Sequence, residues 1–395
     1  MRTVITAKRL WNGSCVLESP QIAIDNGRIA SIVSRAGSEH RPRVPKGVLD
    51  YPEATLAPAF LDVHIHGAAG HDVMEATPEA LSAIGRFLAT HGTGSFLATT
   101  VTAPLDTTLR AVAGLAKLIE KPELIASHGD HGQPIARPIG IHLERPFLSH
   151  EKCGVQPREY LLAPDIAVFD RLFEAAEGKV RLMTLAPELP GAVELTAHAT
   201  ARGVRVSLGH SNATAAETRA AIEAGATSAT HTFNAMRALD HREPGILGVV
   251  LTDDSVFAEL ICDGIHTAPE LVRLWYRAKG RERGILVTDA MSATGMPDGE
   301  YHLGGFSVQV ANGRAMARGV LAGSVLTLDR ALMNFMRYTG APLDQALRPL
   351  TVNPAAMTGL ESDAGSPQVG LPANLVAVDH LGKLLKSIVN GRVAI

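Results

Sequence analysis

The stretch Leu61-Asp62-Val63-His64-Ile65-His66-Gly67 places two histidines two residues apart at the end of an apolar run. In an extended strand, residues i and i+2 point to the same face, so His64 and His66 can share one metal ion. Other residues of the same chemical type end apolar runs further on. Glu144 closes Ile141-His142-Leu143-Glu144, His210 follows Ser207-Leu208-Gly209, His231 ends a run beginning at Thr227, and Asp289 follows Val287-Thr288. Imidazoles and carboxylates without thiolates suit zinc, iron, manganese or cobalt. Six ligands exceed what one tetrahedral site needs, so the set accommodates two ions bridged by a carboxylate as well as one. Glu144 is the natural bridge, with His64, His66 and Asp289 on one ion and His210 and His231 on the other. A carbamylated lysine is excluded as the bridge, because Lys179 stands at the beginning of its strand. Asp289 has a second use: a carboxylate at the edge of such a centre can take a proton from an attacking water and hand it to a leaving group. The chemistry is hydrolytic.

Residues so far apart in sequence need a scaffold that gathers strand ends. Short apolar strands are expected at 60–66, 95–101, 138–144, 180–186, 204–208, 227–231, 256–262 and 285–289, with helices between most of them. Thr77-Pro78-Glu79 opens one helix, with Leu81, Ile84 and Leu88 on one face and Gly92 beyond its end. Thr214 and Glu217 form a capping-box pattern, and Thr267 with Pro269 opens a helix that Gly280 closes. Eight strand-helix units predict an α/β fold, a (β/α)8 TIM barrel, whose active site lies at the C-terminal ends of the strands. All six candidate ligands fall at that rim.

The two ends of the chain read differently. Asp25-Asn26-Gly27-Arg28 and Asn390-Gly391 are hairpin turns between short apolar runs. They predict a small β-sandwich domain built from both termini, residues 1–54 and 356–395, around a catalytic barrel at 55–355. The segment from Ser292 to Gly319, with a turn at Asn312-Gly313, reads as an insertion after the eighth strand and a wall or lid for the site. With 46% hydrophobic residues and a formal charge of −3, the chain buries a large core, and it has no basic run for nucleic acid or a membrane surface. Cys15, Cys153 and Cys262 lie far apart, which fits a reducing compartment without disulfides. Together with the lack of a long apolar segment, this makes the cytoplasm the expected location.

The sequence resembles the N-acetylglucosamine-6-phosphate deacetylases of the amidohydrolase superfamily over nearly its whole length. The resemblance rests on Gly67 after the paired histidines, Gly94-Ser95-Phe96-Leu97-Ala98-Thr99-Thr100, His142-Leu143-Glu144 with Pro146-Phe147, and Thr184-Leu185-Ala186-Pro187-Glu188. It continues through Gly209-His210-Ser211, His231-Thr232-Phe233-Asn234-Ala235-Met236, His241-Arg242-Glu243-Pro244-Gly245, Asp263-Gly264-Ile265-His266, Thr288-Asp289-Ala290 and Leu321-Ala322-Gly323-Ser324. It implies hydrolysis of the acetamide of N-acetylglucosamine 6-phosphate. It also implies that Asn234, the backbone of Ala235, Arg242 and His266 hold the sugar phosphate. In that family the arginine reaches the neighbouring subunit's site, which implies a homodimer. Without that role, Arg242 would be a surface ion pair with Glu243.

Two positions depart from the family pattern. Arg145 stands where glycine usually follows the metal-binding glutamate, and three orientations are open to it: against the metals, outward, or toward the phosphate. Gln156 stands where some members have a histidine that polarises the acetyl carbonyl. Glutamine donates a hydrogen bond but carries no charge, leaving that charge to a second ion. Alternative readings keep the barrel but act on another N-acetyl hexosamine phosphate, such as N-acetylgalactosamine 6-phosphate, or make the chain a catalytically impaired scaffold because of Arg145. His142 shares the strand face of Glu144 and reads as a hydrogen-bond partner behind the ligands.

Overall fold

The computed structural model describes residues 2–35, 48–128 and 132–395. Its centre is a ring of eight strands: β1 (Phe60–Ile65), β2 (Thr93–Thr99), β3 (Arg137–Leu143), β4 (Val180–Leu185), β5 (Arg205–Leu208), β6 (Ser228–Ala229), β7 (Phe257–Ile261) and β8 (Gly284–Val287). Each strand pairs in parallel with the next. Closure is made where β8 returns to β1. There the Asp289 N–H donates to the His64 carbonyl at 2.9 Å, and the Thr288 hydroxyl donates to Asp62 Oδ2 at 2.6 Å. All eight strands lie within two residues of the expected ends. Most were legible because a parallel strand covered on both faces reads as an apolar run, though β5 and β6 carry Arg205, Ser207 and Ser228.

Helix α1 (Pro78–Thr90) begins as expected. Thr77 Oγ1 accepts from the Ala80 N–H at 3.2 Å, and Leu81, Ile84 and Leu88 are buried. Helix α2 (Ala215–Glu223) carries the Thr214–Glu217 capping box. Helix α3 (Pro269–Arg283) is interrupted at Gly280, where the expected helix ends in non-helical backbone (φ 59°, ψ −160°) and a short further turn follows. The extra turn is tied down by Arg283, whose Nε donates to the Asp254 carbonyl at 2.7 Å.

The two ends of the chain build one continuous eight-stranded sheet. Arg2–Trp11 runs parallel to Val48–Pro58, which in turn pairs antiparallel with Leu375–Val378. Ile5, Leu10, Ile22, Ile24, Leu56, Leu375 and Ile388 form a core lined by strands of this sheet alone, so the sheet folds over on itself. Both hairpin turns form, with left-handed backbone at Asn26 and Gly27 (φ 48° and 78°) and at Asn390 and Gly391 (φ 50° and 73°). Type I′ turns need that conformation at both central positions. The insertion after β8 is a four-stranded antiparallel sheet, Gly299–Leu303, Phe306–Ala311, Arg314–Ala317 and Val320–Leu321, larger than the single hairpin signalled by Asn312-Gly313. Among the described residues no helix is long and apolar enough to cross a membrane.

Candidate metal centre

Two overlapping triplets of buried donors meet at the C-terminal rim of the barrel: His64, His66 and Glu144, and Glu144, His210 and His231. Within each, the ligand atoms lie within 4.8 Å of one another. Asp289 Oδ1 stands 3.0 Å from His66 Nε2 and 3.5 Å from His64 Nε2. Glu144 is shared, with Oε1 3.1 Å from His210 Nε2 and 3.3 Å from His231 Nε2, and Oε2 3.4 Å from His66 Nε2. The chain leaves the extended region just past the strands, at His210 (φ 46°), His231 (φ 27°) and Asp289 (φ 49°). Left-handed backbone is uncommon for side chains of this size, and costs of roughly 1–3 kcal/mol each are tolerated where they aim a functional group.

Hydrogen bonds on the far side of each ring decide which nitrogen carries the proton. His66 Nδ1 lies 3.1 Å from the Thr99 carbonyl and His210 Nδ1 lies 2.9 Å from the Lys152 carbonyl. A carbonyl only accepts, so both rings carry hydrogen on Nδ1 and turn Nε2 inward. His66 Nε2 therefore faces the carboxylate oxygens of Asp289 and Glu144. His64 Nε2 is buried without a hydrogen-bond partner. Such an arrangement is unfavourable without a cation among the donors, and it fits a divalent ion.

The electrostatics point the same way. Burial alone would raise Glu144, but the Arg145 guanidinium and His64 hold its carboxyl well below the usual range. Burial would likewise raise Asp289, which His64 and His66 hold down. Burial pushes His210 down to about 4, leaving the imidazole neutral, as a ligand must be.

A cavity of about 330 Å³ opens onto this centre. Its lining brings together His66, Glu144, His210, His231 and Asp289 with Gln156, Asn234, Ala235 and His266, and with Leu303, Val320 and Leu321 of the inserted sheet. His64 lies behind this wall, buried completely. Gln156 is buried and its Oε1 has no hydrogen-bond partner. His266 Nδ1 pairs with Asp263 Oδ2 at 2.6 Å, which outweighs its burial and raises its pKa. Arg242 is exposed and outside the cavity lining of its own chain. Glu243 turns instead to the backbone N–H groups of Ala215 and Gly245, at 2.8 and 3.1 Å.

Arg145 turns inward. It is 4% exposed, with Nη2 2.6 Å from Glu144 Oε2 and Nη1 donating to His210 Nε2 at 3.3 Å. His142 does not hydrogen-bond a candidate ligand as expected. Its Nε2 pairs with Thr184 Oγ1 at 2.8 Å, and its ring packs edge-on against His64. The residue behind His64 is Glu259 of β7, which sequence reasoning did not single out. Its signal was present: a lone carboxylate in the apolar run Val256-Phe257-Ala258-Glu259-Leu260-Ile261-Cys262. Cys15, Cys153 and Cys262 are all free thiols.

A model of the amidohydrolase family matches residues 55–394, and the chain belongs to that family. Family and donor set together give it a divalent metal cofactor. It is 38% identical to the N-acetylgalactosamine-6-phosphate deacetylase of Escherichia coli O157:H7, over 96% of each chain. It is 36% identical to the N-acetylglucosamine-6-phosphate deacetylase of Vibrio furnissii, over 98% of this chain and 93% of that protein. The crystal structure of N-acetyl-D-glucosamine-6-phosphate deacetylase from Mycobacterium smegmatis superposes with a TM-score of 0.88 at 35% identity, covering both chains fully.

Proposed function

We propose that this hydrolase removes the acetyl group from N-acetylglucosamine 6-phosphate, giving glucosamine 6-phosphate and acetate. The observation that carries this reading is the convergence of the imidazole–carboxylate cluster with Gln156, Asn234, Ala235 and His266 on one cavity. His64, His66, Glu144 and Asp289 would hold one divalent ion and Glu144, His210 and His231 a second, of zinc, iron, manganese or cobalt. Bound there, a divalent ion supplies Lewis acidity toward water and toward an amide carbonyl.

The chain's own groups do the rest. Asp289 accepts the proton of the attacking water and then delivers it to the departing amine. Gln156 donates its amide N–H to the acetyl oxygen, on which negative charge develops. Asn234, the backbone of Ala235 and His266 hold the phosphate, whose binding energy orients the acetyl group. Arg242, exposed on its own subunit, completes the phosphate site of the neighbouring subunit in a homodimer, binding oxygens bidentately. Residues 55–355 form the catalytic domain, residues 1–54 and 356–395 form the sheet domain, and the enzyme works in the cytoplasm.

N-acetylgalactosamine 6-phosphate is a second candidate substrate, favoured by the 38% identity to a deacetylase of that sugar. The test is acetate release from both phosphorylated sugars and from unphosphorylated N-acetylglucosamine, on protein of counted metal content. Turnover confined to phosphorylated sugars is expected, and their ratio assigns the epimer. Equal turnover without phosphate would sink the phosphate site. No turnover of any of them by metal-loaded protein would sink the deacetylase reading.

A further inference from the structure

The strongest ion pair inside the centre belongs to Arg145, a residue with no part in the chemistry above. Its Nη2 lies 2.6 Å from Glu144 Oε2. Its Nη1 donates at 3.3 Å to His210 Nε2, whose lone pair is bare because Nδ1 holds its hydrogen toward the Lys152 carbonyl. The lone pair that would bind a metal is therefore engaged by a guanidinium hydrogen. Two of the three groups in the Glu144–His210–His231 triplet are thus in contact with a cation built into the chain.

Glu144 belongs to both triplets, but of the four imidazoles only His210 takes a guanidinium hydrogen. His64 Nε2 is buried without a hydrogen bond, and His66 Nε2 lies 3.0 Å from Asp289 Oδ1. Charge balance separates the two further. Three carboxylates touch the imidazoles of the centre: Glu144, Asp289 and Glu259. Their combined charge matches one divalent ion plus one guanidinium. A second divalent ion would leave two positive charges uncompensated in a buried, low-dielectric site.

We infer that the Arg145 guanidinium is the resident cation of the Glu144–His210–His231 subsite. The chain then holds one divalent ion tightly, at His64, His66 and Asp289 with Glu144, and admits a second only weakly. The inference rests on the metal-hydrolase reading but not on the identity of the sugar. It departs from the two bridged ions that the ligand count alone allowed, and it gives Arg145 the positive charge beside the acetyl group that a second ion would otherwise carry.

The test is a metal count. Full-length protein stripped with a chelator is equilibrated by dialysis against zinc, and zinc per chain is measured by mass spectrometry for wild type and variants. Wild type should take up one ion, His66→Ala should lose it, and His210→Ala should keep it. Arg145→Met, which removes the charge and both donors, should take up two, its second site tightened by about 10- to 100-fold. Arg145→Lys, which keeps the charge, should stay closer to one than Arg145→Met does. Two tight ions in wild type, or an ion lost in His210→Ala but kept in His66→Ala, would overturn the inference while leaving the deacetylase reading intact. An unchanged count in a folded Arg145→Met protein would overturn it as well. No zinc in any variant would overturn the metal reading itself.

Discussion

Glu259 Oε2 stands 3.1 Å from His64 Nδ1, on the ring nitrogen turned away from Glu144 and Asp289. A carboxylate behind an imidazole fixes the ring's orientation and raises its basicity toward whatever binds the other nitrogen. Replacing Glu259 with alanine should therefore lower metal affinity by about 10- to 100-fold, with glutamine intermediate. Competition between the protein and a chromophoric chelator measures it directly. Unchanged retention in Glu259→Ala would show that His64 needs no such support.

Asp289→Asn keeps the shape of the side chain but cannot carry a proton from water to amine. The expected fall in kcat is about 10²- to 10⁴-fold, with a much smaller change in KM for the phosphorylated sugar. Steady-state rates at several substrate concentrations separate the two parameters. A variant retaining most of its kcat would remove Asp289 from the proton path.

The His266–Asp263 pair gives substrate binding a pH dependence of known sign. Burial would lower the histidine's pKa, but the carboxylate at 2.6 Å raises it above the ordinary value. His266 therefore keeps its proton to a higher pH than a free histidine, and its attraction for phosphate is lost as pH rises through that raised value. KM for the phosphorylated sugar should be low below that value and climb above it. Asp263→Asn should move the climb to lower pH. The stability contributed by the pair follows the same sense: complete below the unfolded-state value of about 6.5, and lost as pH rises through the folded-state one. A KM profile identical in Asp263→Asn would exclude His266 from the phosphate site.

Arg242 is exposed, so its replacement by alanine should leave the melting temperature within the small range typical of surface changes. Losing a charged hydrogen-bond donor to phosphate costs about 1.5–3 kcal/mol, which predicts KM raised by roughly 10- to 150-fold. If the arginine serves the neighbouring subunit, mixing Arg242→Ala with Asp289→Asn subunits regenerates one intact site per hybrid dimer. At substrate concentrations well below the KM of Arg242→Ala, activity should rise on mixing the two proteins. The absence of such a rise in verified hybrids would confine Arg242 to its own subunit.

The barrel was legible because its ligands punctuate apolar runs. His66, Glu144, His210, His231 and Asp289 each lie one or two residues past a barrel strand, and for His66, Glu144 and Asp289 the break in a largely apolar run locates both the strand end and the donor. The same logic missed Glu259, which sits inside β7 rather than past its end, so it reads as an anomaly in a strand and not as part of a constellation. The hydrogen-bonded carbonyls of Thr99 and Lys152, which set two tautomers, have no sequence signal, since every residue has a carbonyl. Arg145 shows a different limit. Its position beside Glu144 was evident, but three orientations were open to it, and the choice depended on His210, 65 positions away.

The folded-over sheet that joins both ends of the chain also sets an order of events during synthesis. The strand Arg2–Trp11 leaves the ribosome early and can pair with Val48–Pro58, but Leu375–Val378 and Leu384–Val389, which cover Ile5, Leu56 and their neighbours, are made last. Until then the nascent chain carries an unpaired apolar sheet edge while the barrel assembles below it, a hazard for association between chains on one messenger. The strands at residues 375–393 thus complete the sheet. Truncation there is expected to leave a barrel able to form beside a sheet that cannot close, and aggregation of such a fragment would reveal it.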